Sequence, residues 1–407
     1  MRTSIFAFAT DARDEGIETM LDNVQQRGGI DGVTVAAAYH EGRDIFPHNP
    51  VRKVRFLEGG TVFFRPDPAR WDGVRLRPAV SELARERDVV RELREATRDR
   101  GLELHAWTVF LHNDTLGARH PECAPRNVFG DPYITDLCPA NPDVRAYART
   151  LAADVAAVGV ETIFAESLHY HPLEHGYAHE RYFVELGPLV RYLLGLCFCD
   201  HCLEAARQRG VDADAARSFA RDEIERVFAG GARDPAAELD RGQVAVLDGY
   251  LEAREATVTS LVEETVNAAA ANGAELTFMD LSGAVKGYAT GRPTGEAAPS
   301  IAWKLGVDLA AIARAGAALG AIGYAADPDR LRLDLGAYRG FDAEVEVALR
   351  PMPPDCDSAQ NLAAKLDAAA ELGVRRAHFY HYGFMRLDAL DLIAEALRSA
   401  RPGRSPV

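Results

Sequence analysis

The sequence predicts a single (β/α)8 barrel spanning residues 1–407. Short apolar runs alternate with long amphipathic stretches along the whole chain, and the runs number eight. No glycine-rich dinucleotide fingerprint follows the first run, which disfavours the competing architecture, an open doubly wound sheet.

The expected strands are 4–10, 33–39, 103–109, 161–166, 275–281, 321–326, 344–350 and 376–381. The N-terminal run turns acidic within a few residues and reads as the first strand rather than a signal peptide. A loop over 40–80 follows strand 2, and "GGTVFFRPDP" (59–68) within it is expected to form a hairpin. Helical patterns cover 81–101 and 141–159; in the latter Asn141 offers an N-cap, Pro142 the first helical position and Gly159 a stop. A second insertion, 203–273, carries two or three extra helices between strands 4 and 5. Helices over 358–373 and 386–400 complete the plan, and "RPGRSPV" reads as a frayed tail. Both insertions leave from C-terminal strand ends, the face that carries catalysis in such barrels.

Composition narrows the function. A net charge of −15 excludes nucleic acid or an anionic membrane surface as the main partner. No stretch approaches the ~20 apolar residues of a transmembrane helix. The expected compartment is a reducing cytoplasm, where clustered cysteines more often hold metal than form disulfides. The expected partner is a small molecule, and a homo-oligomer is compatible with the chain.

Three of the six cysteines lie within "LCFCDHC". Cys197, Cys199 and Cys202 give three thiolates at short spacing, and a tetrahedral zinc needs a fourth ligand. Cys138, in the loop after strand 3, is the expected fourth; His201 competes from an awkward position between two ligands. A closed Zn2+ site of this kind staples loops and leaves no position open for chemistry.

The order Cys138, helix, strand ending in Glu166, then Cys197-x-Cys199-x-x-Cys202 resembles the zinc cluster of glycoside hydrolase family 42 β-galactosidases. It is also similar to uncharacterised hypothetical glycoside hydrolases built on such barrels. The resemblance covers about residues 100–205 and implies a clan A-like barrel with Glu166 as its acid/base. Two positions depart from the clan's pattern. Ala165 stands where Asn precedes the acid/base, and strand 7 ends in Arg350 where the nucleophile would be Glu.

Glycosidic cleavage uses two carboxyl groups. Glu166 tops strand 4 on the face shared with Thr162 and Phe164, and Asp280 is expected at the matching place on strand 5. Asp327 is a third candidate, placed equally well for a turn, and Glu346 is expected to be buried against a base. Tyr39, His40, Trp107, His112, Asn113, His169, His171, Tyr324 and His381 recur near strand ends as candidate sugar-binding groups. Arg350 is expected to bind a substrate carboxylate or phosphate. The expected function is cleavage of a small glycoside. A metal-dependent sugar isomerase or epimerase built on Glu166, Asp280 and His381 is the first alternative. A carbohydrate-binding barrel without catalysis is the second.

Overall fold

The computed structural model describes residues 1–173, 181–232 and 238–400. Eight parallel strands close into a barrel: β1 (Arg2–Ala7), β2 (Gly32–Tyr39), β3 (Glu103–Val109), β4 (Thr162–Glu166), β5 (Glu275–Asp280), β6 (Ala318–Ile322), β7 (Val345–Leu349) and β8 (Arg376–Phe379). β1 pairs with both β2 and β8, so the sheet has no free edge. Each strand is followed by a helix on the outside, such as Pro142–Ala156 after β3 and Pro328–Tyr338 after β6. The tail at 401–407 lies outside the described residues.

The barrel interior is layered. At the N-terminal end Glu346 is sealed in an ionic network: Arg376 donates to it at 2.5 Å, His378 bonds it at 2.9 Å and Thr277 donates at 3.3 Å. Arg376 also reaches Glu103 at 3.1 Å, so the buried charges are paired. The expectation for Glu346 therefore holds. Above it lie Phe6, Phe164 and His378, with Phe164 and His378 ring centroids 4.7 Å apart. Gly320 makes room for this layer, because a Cβ there would sit 2.8 Å from Phe164 Cζ.

Several local expectations held. Asn141 accepts N–H bonds from Asp143 and Val144, Pro142 opens the helix, and Gly159 adopts φ +95° in the turn beyond it. Three did not. Strand 6 begins three residues earlier than expected, because its inward position 320 is a glycine that interrupts the apolar run. Residues 59–68 form no hairpin: Thr61–Val62 adds antiparallel to β2 and parallel to Ala79–Val80. The hairpin in that loop is instead Gly42–Ile45 with Val54–Leu57. In the second insertion, Asp248–Ala270 is the barrel's own fourth helix, packed on Pro142–Ala156 and β5. The remaining helices, Pro188–Gly195, Asp200–Gln208 and Ala213–Phe228, bury a separate apolar cluster that includes Leu193, Leu203, Ile224 and Tyr250. They form a lobe over one side of the barrel mouth.

Candidate active site

A cleft of about 1340 Å3 opens at the C-terminal end of the strands and runs beneath that lobe. Glu166 reaches it from the last position of β4, on the inward phase of Thr162 and Phe164. Its Oε2 accepts the indole N–H of Trp107 at 2.6 Å. Burial pushes the carboxyl above its ordinary value, partly opposed by that bond and by the charge of His112. Tyr39, Tyr288, Tyr324 and Tyr380 line the same cleft, and the charge of Glu166 bears on all four hydroxyls. Ser167, immediately after the acid, adopts φ +56°, a left-handed conformation that costs a non-glycine residue about 1–3 kcal/mol. β3 and β4 hold that turn, with Phe110 N–H bonded to the Glu166 carbonyl at 3.0 Å and Leu111 N–H to that of Ser167 at 3.1 Å.

Six expected sugar-binding residues, Tyr39, His40, Trp107, His169, His171 and Tyr324, line this cleft with Glu166. Burial pushes the His40 and His169 imidazoles down to about 3, so both are neutral. The other four lie elsewhere. His112 sits behind the wall, its ring 4.9 Å from that of His40 and 5.4 Å from that of His171. Asn113 caps the helix Asp114–Arg119 by accepting the Leu116 N–H at 2.9 Å, and it also donates to Tyr147. His381 is buried, stacked on Phe384, with Nδ1 accepting the Gly383 N–H at 3.1 Å. Arg350 is bound by Asp355 at 2.5 and 2.8 Å and lies 4.3 Å over the Tyr324 ring. It fixes the cleft tyrosines instead of meeting the cleft itself. Asp327 caps the helix Pro328–Tyr338, as its turn reading implied.

Asp280 is not brought to Glu166. It is fully buried against the helix layer, where Tyr338 donates to it at 2.5 Å and Ser282 at 2.7 and 3.0 Å. The two-residue strand period explains the correction. Phe164 is level with Thr277, which faces the barrel interior, so the inward residue level with Glu166 is Met279. Asp280 is one step out of phase.

The cysteines converge. Cys138 Sγ lies 3.8, 3.5 and 3.5 Å from those of Cys197, Cys199 and Cys202. A disulfide would need ~2.05 Å, whereas a tetrahedron of ~2.3 Å zinc–sulfur bonds has edges near ~3.8 Å. The Arg126 N–H donates to Cys197 Sγ at 3.3 Å and the Tyr170 hydroxyl lies 3.2 Å from Cys202 Sγ, the outer contacts that metal-bound thiolates take. His201 is exposed and is not among the four grouped ligand atoms. The four thiols fit a closed tetrahedral ion.

The architecture, the placement of its inward glutamate and the closed cysteine group can now be set beside known proteins. No family model matches the chain, and no curated protein matches its sequence. Among solved structures, the glycoside hydrolase domain of PgaB (BpsB) from Bordetella bronchiseptica superposes at a TM-score of 0.58 and 12% identity, covering 100% of each chain. A β-galactosidase from the psychrophilic Marinomonas ef1 gives 0.58 at 12% identity, covering 98% of this chain and 59% of that one. The α-L-fucosidase isoenzyme 2 from Paenibacillus thiaminolyticus gives 0.53 at 13%, covering 97% and 49%. The structural neighbours are glycoside hydrolases. At these identities the likeness is one of fold, and the chain spans about half the length of the fucosidase. No described helix is long and apolar enough to cross a membrane.

Sequence reasoning missed four residues. Tyr288 and Arg254 reach the cleft from segments read only as loop and insertion helix. Asp44, half-buried on the Gly42–Ile45 hairpin strand, places its charge on the hydroxyls of Tyr39, Tyr288 and Tyr380, the same ones that feel Glu166. Asp136 lies two residues before Cys138, and that proximity to an expected ligand was the available signal.

Proposed function

We propose that this protein is a glycoside hydrolase-like enzyme acting on a small glycoside, with Glu166 as its general acid/base. The observation that carries the reading is a half-buried carboxyl at the end of β4, its pKa raised by loss of solvent, in a cleft walled by tyrosines and histidines. In the neutral form Glu166 delivers its proton to the glycosidic oxygen as the bond to the anomeric carbon breaks. Asp44 is the proposed second carboxylate: it lies outside the cleft lining, and what supports it is the charge it places on Tyr39 and Tyr380, as Glu166 does. Trp107 aims the Glu166 oxygen, and aromatic faces stack on the sugar. The four cysteines would hold a structural Zn2+ that pins the lobe to the loop after β3. Bound there, the ion supplies cross-linking.

The isomerase alternative built on Glu166, Asp280 and His381 loses support, since Asp280 is buried against Tyr338 and Ser282 in the helix layer and His381 is buried against Phe384. The deciding experiment screens wild type, E166Q and D44N against a panel of aryl glycosides. Both variants should keep the wild-type circular dichroism and sugar binding while turnover falls about 10²–10⁴-fold. Near-normal turnover in E166Q removes the acid/base assignment. A sugar that binds wild type and is never cleaved supports the binding-barrel reading instead. NMR of the first-formed product anomer tells retention from inversion.

A further inference from the structure

Behind the histidine wall stands a group that acid/base cleavage leaves without a task. Asp136 is buried, and its Oδ1 takes Nδ1 of His112 at 3.0 Å and Nδ1 of His171 at 2.5 Å. Its Oδ2 accepts the Thr135 hydroxyl at 3.0 Å, which fixes the carboxylate plane. One ligand atom from each of His112, Asp136 and His171 lies within 4.8 Å of the other two. The two imidazoles stand nearly perpendicular, at 87°, approaching the oxygen from different directions.

Two further observations point to a ligand here. A cavity of about 30 Å3, the size of one water or ion, abuts Thr135, Asp136 and His171. On the cleft side lies His169, only 1% exposed, with Nε2 buried and lacking a hydrogen-bond partner. Its ring centroid is 5.2 Å from that of His171, and both rings line the main cleft. His171 thus belongs to both cavities.

We propose that His112, Asp136 and His171 form a second metal site, for a divalent cation that favours mixed nitrogen and oxygen ligands, such as Zn2+, Mn2+ or Co2+. The spacing supports it: ligand atoms ~2.1 Å from a shared octahedral ion are ~3.0 Å apart, which the 3.0 Å His112–Asp136 contact matches and the 2.5 Å His171–Asp136 contact undershoots by half an ångström. Three protein ligands leave positions open, unlike the closed thiolate site. His171 lines the cleft as well, so an ion held here would be available to a hydroxyl or carboxylate oxygen of a sugar bound there. The donor sets differ in softness, so the two sites separate by chemistry: four thiolates on one side, imidazole and carboxylate on the other.

Cobalt titration of metal-depleted protein tests this directly. Wild type should bind two equivalents of Co2+, one with an intense thiolate-to-metal charge-transfer band and one with weak ligand-field bands alone. H171A should lose the second equivalent and keep the first, and C199S should do the reverse. E166Q should keep both, so the site stands or falls separately from the acid/base assignment. If H171A does not fold, H112Q carries the same expectation. A single equivalent in wild type, or two retained in the folded histidine variant, overturns the proposal.

Discussion

Glu166 and Trp107 form a balanced pair. Burial raises the carboxyl's pKa, while the indole N–H favours the ionised form. Removing the donor therefore tips the balance upward. In W107F the alkaline limb of the pH–rate profile should move up by about one unit, because a hydrogen bond to a charged group is worth ~1.5–3 kcal/mol and one unit is ~1.4. A downward shift would contradict the assignment of Glu166 as the acid. Glu346 shows the opposite balance in the same barrel. Burial pushes it up, but the bond from His378 and the charges of His378 and Arg376 outweigh it and hold the carboxyl at about 2. A depressed native pKa stabilises the fold above the ordinary value of 4.5, and that contribution fades as the pH falls toward 2. E346Q should thus lose about 3–5 kcal/mol near neutrality, since it breaks a buried ion pair and leaves Arg376 with Glu103 as its remaining carboxylate. The gap to wild type should narrow in acid, as urea unfolding across a pH series will show.

At the scale of the element, phase decides what a residue can do. Glu166 and Asp280 both end barrel strands, yet one faces the cleft and the other the helix Pro328–Tyr338. Residue type and position along the strand were legible in the sequence; the register between β4 and β5 was not. Asp280 serves the fold, so D280N should lower the melting temperature through a cost of about 1–3 kcal/mol while turnover stays at the wild-type level. Loss of turnover at unchanged stability would return Asp280 to the chemistry. Gly320 carries the complementary constraint: G320A forces a methyl into Phe164 and should destabilise by about 1–3 kcal/mol in thermal unfolding. The helix caps were readable because they are local. Asn141 and Pro142 act within one turn, and no distant partner is needed to interpret them.

Across the whole molecule, a barrel and a helical lobe with separate apolar clusters meet at the four cysteines. Cys138 belongs to a barrel loop and the other three to the lobe, so an ion held by the four sulfurs would cross-link two packing units. Strong chelation should raise amide exchange first in Pro188–Gly195 and Ala213–Phe228 while the barrel strands stay protected. Uniform loss of protection would instead make the ion a global support. The lobe also roofs the cleft and contributes Arg191 and Tyr192 to it, so the loosened protein should bind sugar more weakly.

The sequence by itself determined the eight-fold alternation, the inward glutamate of β4 and the sulfur ligands, because periodicity and close spacing are properties of short segments. The tertiary structure decided which acids meet. It turned Asp280 away from Glu166 and set the ligand atoms of His112, Asp136 and His171 within 4.8 Å of one another. Those outcomes depend on strand register and loop paths across the barrel mouth, which arise from packing between residues distant in sequence.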